Sequence, residues 1–174
     1  MHPLIDFYSG TGTDHRGRTL NGILSFTNNE LETCHDYIQW LFPLCERSAF
    51  NPEAPVLDDD CIVAFQTQPA LQAALHGAVL RMLQFYGVVL RETPQGFELL
   101  APHDVASSHW MTENNHNHQR LSRMLASLKL LGMDAHVAAM WQGLQQLALA
   151  NPDCIGAATI MHWRLAAMGQ VQAM

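Results

Sequence analysis

Leu121, Met124, Leu125, Leu128 and Leu131 recur at intervals of three and four residues. Large apolar groups at that spacing share one face only on an α-helix, because a strand would send alternate members to opposite sides. Gly132 closes the run, and Asn115 or Asn117 stands where a side chain can cap its start. The period returns over 68–86, introduced by Thr67 and Pro69, where Leu71, Leu75, Ala78, Met82 and Phe85 form a stripe widened by Val79, Leu80 and Leu83. It returns again after Asp134, with Val137, Met140, Trp141, Leu144, Leu147 and Ala148 inward, and at about 155–168, with Ile160, Trp163 and Ala167 on one face. A shorter helix opens at Asp58–Asp60 and carries Ile62, Val63 and Phe65.

Periodicity falls to two only in VVLRE and FELL, which flank TPQG. Pro second and Gly fourth suit a type I turn, so a small hairpin is predicted at about 88–100. The chain therefore reads as mainly α, a single irregular, orthogonal bundle of about six helices with one small β-hairpin. Residues 1–26, rich in Gly, Thr and Arg, read as an ordered lead-in, and 27–168 as the helical core of one domain spanning 1–174.

The stretch CHDYIQWLFPL, 34–44, sets polar groups in an apolar run. Capping by Asn28 or Asn29, the early Glu30 and Glu32, and the spacing of Leu31, Cys34, Ile38 and Leu41 predict one helix from about 28, stopped by Pro43. On it His35 and Gln39 lie one turn apart with Asp36 beside them. That polar edge is either the floor of a pocket or a network tying down a loop.

NNHNHQR, 114–120, holds His116 and His118, which on a helix point roughly 200° apart and cannot share a metal. Neither HExxH nor a cysteine pair supplies a third ligand, so no metal and no cofactor are expected. Arg120 and Arg123 lie one turn apart, and Arg16 and Arg18 sit in the lead-in; their rigid forks suit carboxylates or phosphates. Internal pairing is favoured, because acids outnumber bases. Ser107, Ser108, His109 and Asp104 share one loop, but neither GxSxG nor a Cys–His signature is present, and SGTG lacks the GK[ST] of a phosphate loop. No catalytic residue is therefore assigned.

Nine Lys and Arg, only Lys129 among them a lysine, face sixteen Asp and Glu, for a net charge of −7. That balance disfavours a nucleic-acid partner, which needs a dense cationic face. No apolar run reaches the ~20 residues of a membrane span, so no transmembrane segment is expected. Cys34, Cys45, Cys61 and Cys154 show no CxxC, which suggests reduced thiols, and the start MHPLIDFYSG lacks a signal peptide's pattern, so a soluble cytoplasmic protein is expected.

HDYIQWLFPL at 35–44, FNPEAPVL at 50–57, MLQFYGV at 82–88 and HNHQRLSRMLASLKLLG at 116–132 together resemble the conserved N-terminal domain of the opioid growth factor receptor family. DHRGRTL at 14–20 has the form this family takes in bacterial proteins, and the resemblance runs from about Asp6 to Trp163. It implies a receptor-like domain in a short stand-alone form, without the long C-terminal regions of the animal members. Those members are described as enkephalin receptors associated with the nuclear envelope.

The resemblance and the polar residues together favour a peptide- or small-ligand-binding domain. Its pocket would be floored by 35–42 and walled by 115–123, with His35, Asp36, Gln39, Trp40, Asn115, His116, Asn117, His118, Arg120 and Arg123 as site residues. Trp40 would offer an aromatic slot and Asp36 an anion for a peptide's amino group. A second reading is an enzyme or anion-binding regulator that uses His35, His116, His118 and Arg120 around a small acidic substrate. The third is a purely structural interaction module.

Overall fold

Helix starts leave backbone amides without partners, and this chain supplies side chains for most of them. In the computed structural model, which describes residues 2–170, His2 caps α1 (Pro3–Tyr8), Thr19 caps α2 (Leu20–Leu24) and Thr27 caps α3 (Asn28–Thr33). The α3 cap is not Asn28 or Asn29 as expected. Glu30 stands three residues after Thr27 and returns its carboxylate to the Thr27 amide, completing a capping box. Then come α4 (Ile38–Leu41), α5 (Asp59–Thr67), capped by Asp58, and α6 (Pro69–Tyr86). A hairpin of β1 (Val89–Thr93) and β2 (Gly96–Leu100) and a 3-10 turn (Val105–Ser107) precede α7 (His116–Leu130), α8 (Asp134–Ala150) and α9 (Ala157–Ala167). The fold is mainly α, and among the described residues it has nine α-helices, because the lead-in and the 28–41 segment contribute short ones.

The chain divides into two compact units, Met1–Arg81 and Met82–Met174. In the first, helices of four to six residues, too short to persist alone, are held by side-chain anchors. The Tyr8 hydroxyl donates to the Leu41 carbonyl, and burial pushes that phenol far above its ordinary range. Tyr37 donates to the Leu31 carbonyl at 2.9 Å. Phe7 packs its ring 5.2 Å from Trp40, and Tyr8 packs 5.0 Å from Phe65. Arg81 reaches back to the end of α2, donating from Nε to the Leu24 carbonyl at 3.2 Å and from Nη2 to the Phe26 carbonyl at 2.6 Å. Its charge faces the negative end of that helix.

The single helix expected from 28 to 41 is two. Cys34 is extended (φ −83°, ψ 134°), and the chain turns through His35 and Asp36 before α4 begins. Asp36 is drawn sideways to Arg18 and the Tyr37 ring folds back to Leu31, so the polar residues that looked misplaced are where the helix breaks.

In the second unit β1 and β2 pair antiparallel, from Val89↔Leu100 to Thr93↔Gly96, turning at Pro94 and Gln95. The hairpin rests on α8, where Gly143 admits Leu99: a Cβ at 143 would lie 2.6 Å from the Leu99 Cβ. Helix α7 packs on α8 and α9. Its apolar stripe is buried, and Gly132 takes the left-handed conformation (φ 79°) that ends it. All four cysteines are free thiols, and no described helix is long and apolar enough to cross a membrane.

Candidate ligand-binding site

The DHRGR loop is built on one buried carboxylate. Asp14 Oδ1 accepts from the backbone amides of Arg16 (2.9 Å) and Arg18 (2.8 Å), and its Oδ2 accepts from Arg18 Nε at 2.6 Å. Gly17 supplies the left-handed residue (φ 77°) that lets the turn close. The loop thus presents Arg18 sideways, where Nη2 donates to Asp36 Oδ1 at 2.9 Å and the guanidinium lies 5.8 Å from the Phe26 ring centroid. Arg16 Nε pairs with the other Asp36 oxygen while its side chain stays 66% exposed.

His15 completes this clasp. Its Nδ1 accepts from Trp40 Nε1 at 3.1 Å with the two rings nearly parallel, which turns Nε2 toward the carboxylates. That nitrogen lies 3.6 Å from Asp36 and 3.9 Å from Glu53. Asn51 donates to the Asp36 carbonyl at 2.7 Å. Burial opposes charge on Asp36, but the Arg18 hydrogen bond and the charges of Arg18, Arg16 and His15 outweigh it and hold the carboxyl below its ordinary value. Burial likewise opposes charge on Arg18, yet Asp14 and Asp36 raise its pKa.

Gln39 is 4% exposed and its Oε1 has no hydrogen-bond partner. His35 is exposed and precedes α4, so the expected one-turn edge from His35 to Gln39 does not form; the non-helical turn through His35–Tyr37 separates them. Trp40 is buried and Asp36 is held by two arginines, so neither is available as a free slot or a free anion.

The remaining predicted site residues belong to the second unit. Asn115 caps α7, accepting from the Asn117 amide at 2.9 Å and donating to the His109 carbonyl and the Thr112 hydroxyl. Asn117 is buried and accepts from Arg120 Nη1 at 3.2 Å. His116 is exposed and His118 buried, on different sides of the helix start. His118 sits edge-on between Trp110 and Trp163; its Nε2 faces the Trp110 carbonyl at 3.0 Å, and its Nδ1 is buried without a hydrogen bond. Burial, and to a lesser degree the nearby His116 charge, lower its pKa against the opposing Trp110 contact. Trp163 Nε1 donates to the His118 carbonyl at 2.9 Å. Burial also pushes the Arg123 guanidinium down to about 10.

The sequence pointed to Arg16 and Arg18 but not to Asp14 or His15 as their companions. The signal was local: an Asx turn, D-x-R-G-R, with glycine at the left-handed position. Trp110 and Trp163 carried no such signal, since nothing local ties either to His118.

The sequence profile described as "Opioid growth factor receptor (OGFr) conserved region" matches residues 16–159. The mouse opioid growth factor receptor is 34% identical over 110 residues, 63% of this chain and 17% of the relative. The human protein is 35% identical over 104 residues, 60% of this chain and 15% of its own length. Opioid growth factor receptor-like protein 1 of Xenopus tropicalis is 34% identical over 105 residues, 60% of this chain and 20% of the relative. The chain thus spans a fifth or less of these curated relatives. No solved structure matches.

Proposed function

Because the chain belongs to the opioid growth factor receptor conserved-region family, we propose that it is a receptor-like binding domain that takes a short peptide with charged ends at the rim of the clasp. The observation that carries this reading is Gln39, a buried side-chain carbonyl without a hydrogen-bond donor, next to the buried Trp40 and a charge network already fixed in place. Buried acceptors are nearly always satisfied, so an orphan one is a place where a donor, from an ordered water or a bound molecule, can be taken up. The rim adds what a peptide's termini require. Arg16 is an exposed fork for a carboxylate, Glu53 is a 73% exposed carboxylate for an amine, and Phe50, 81% exposed, offers an aromatic face. Glu53 takes the role that Asp36, already held by arginines, cannot. The exposed His35, in the same unit as the clasp, is proposed as an accessory contact. In the second unit, taken by itself, His116, Arg120 and Arg123 are the basic side chains that the anion-binding reading rests on.

Calorimetry with a tyrosine-led pentapeptide bearing free termini tests this. We expect one-to-one binding, lost when the peptide is N-acetylated and C-amidated. Arg16→Ala and Glu53→Gln should each weaken binding about tenfold, or ~1.4 kcal/mol. No heat and no thermal shift at a thousandfold excess would discard peptide recognition and leave the clasp a structural tie.

A further inference from the structure

We infer that His2, Asp58 and Cys61 form a binding site for a borderline-soft divalent cation, zinc in the first instance. Two cap residues and one buried thiol meet where α1 and α5 pack together. Each cap residue holds a backbone amide with one side-chain atom and turns its other atom to the same point. His2 Nδ1 accepts from the Leu4 amide at 3.2 Å, and Asp58 Oδ1 accepts from the Cys61 amide at 2.8 Å. His2 Nε2 and Asp58 Oδ2 then lie 3.7 Å apart, and with Cys61 Sγ the three donor atoms all fall within 4.8 Å of one another.

A zinc ion ~2.0–2.3 Å from nitrogen, oxygen and sulfur needs its donors roughly 3–4 Å apart, a spacing that small side-chain rotations reach from this geometry. The donor set selects the metal. Calcium and magnesium require oxygen throughout, whereas one imidazole, one carboxylate and one thiolate suit zinc or cobalt. Cys61 is fully buried on one side and Asp58 is exposed on the other, so the cation enters past Asp58 and keeps a solvent position as its fourth ligand.

Protons balance simply. The thiol releases one proton to solvent as sulfur binds. The neutral imidazole moves its proton from Nε2 to Nδ1, giving up the Leu4 amide in exchange for the metal. Carboxylate and thiolate together then neutralise the dication. Bound there, the metal staples the first helix to the fifth.

The test is titration of the full chain with cobalt(II), then zinc, in the presence of a phosphine reductant. We expect one equivalent of cobalt to give a thiolate-to-metal charge-transfer band in the near ultraviolet, discharged by one equivalent of zinc. Zinc at a hundredfold excess over its Kd should raise the melting temperature by about 5–10 °C. Cys61→Ser should abolish the band. Because Cys61 is buried and a serine there costs stability, His2→Ala and Asp58→Asn provide the second arm. The Asp58→Asn change keeps the cap and loses only the anion, and each of these two variants should weaken cobalt binding at least tenfold. Absence of the band in the wild type, a band of equal strength in Cys61→Ser, or unchanged affinity in both other variants would overturn the assignment.

Discussion

The two units solve one problem, the placement of polar groups in a helical protein, in opposite ways. In the first, Asp14, Arg16, Arg18, His15 and Asp36 hold short helices through partly wet ion pairs. In the second, His118 is buried between two tryptophans, where burial lowers its pKa, while long helices bury apolar stripes around it. The contrast shows that helix length dictates the device. Segments of four to six residues lack a stripe long enough to anchor themselves and need directional bonds, whereas helices of eleven to seventeen residues are anchored by area.

The largest effect should come from removing area. Trp163→Ala deletes a fully buried ring and its bond to His118, and should cost about 3–5 kcal/mol in urea melts, with the loss independent of salt. Asp36→Asn breaks the clasp without removing volume; lying between exposed and buried pairs in its surroundings, it should cost about 2 kcal/mol, and the gap from wild type should narrow as salt rises. Equal salt dependence in the two variants would erase the distinction between the units.

Acid separates them further, at up to ~1.4 kcal/mol per pH unit for each proton. His118 has its folded pKa lowered from the ordinary 6.5, so the unfolded chain takes the proton first; its contribution is complete above 6.5 and is lost as pH falls below it. Asp36 has its folded pKa lowered from the ordinary 3.8; its contribution is complete above that value and is lost only as pH falls through the lower folded value. Hydrogen exchange followed by mass spectrometry should therefore show residues 82–170 loosening in milder acid than residues 2–81. Loosening in the reverse order would break the comparison. The smallest effect is Arg91→Ala: its partner Glu98 is half exposed, and urea melts should register less than about 1 kcal/mol.

What could be read in the sequence follows helix length more than the boundary between the units, since most of the legible α6 lies in the first. Helices α6, α7 and α8 and the hairpin were legible, because area leaves a period in the chain. The turn through Cys34–Tyr37 was not, because Leu31, Cys34, Ile38 and Leu41 keep helical spacing across a break imposed by Arg18, eighteen residues before Asp36. Polar residues 35–39 were legible as unusual, and Asn115 as a cap. Their partners were not: His15 is 25 residues from Trp40, and Trp163 is 45 from His118, distances at which one chain carries no pattern.

The Arg81 guanidinium also sets an order of events in synthesis. The carbonyls it holds, at Leu24 and Phe26, leave the ribosome 57 and 55 residues before it does. At about 5–20 residues per second, the end of α2 waits roughly 3–11 seconds for its cation, and until then the nascent segment lacks this tie within its unit.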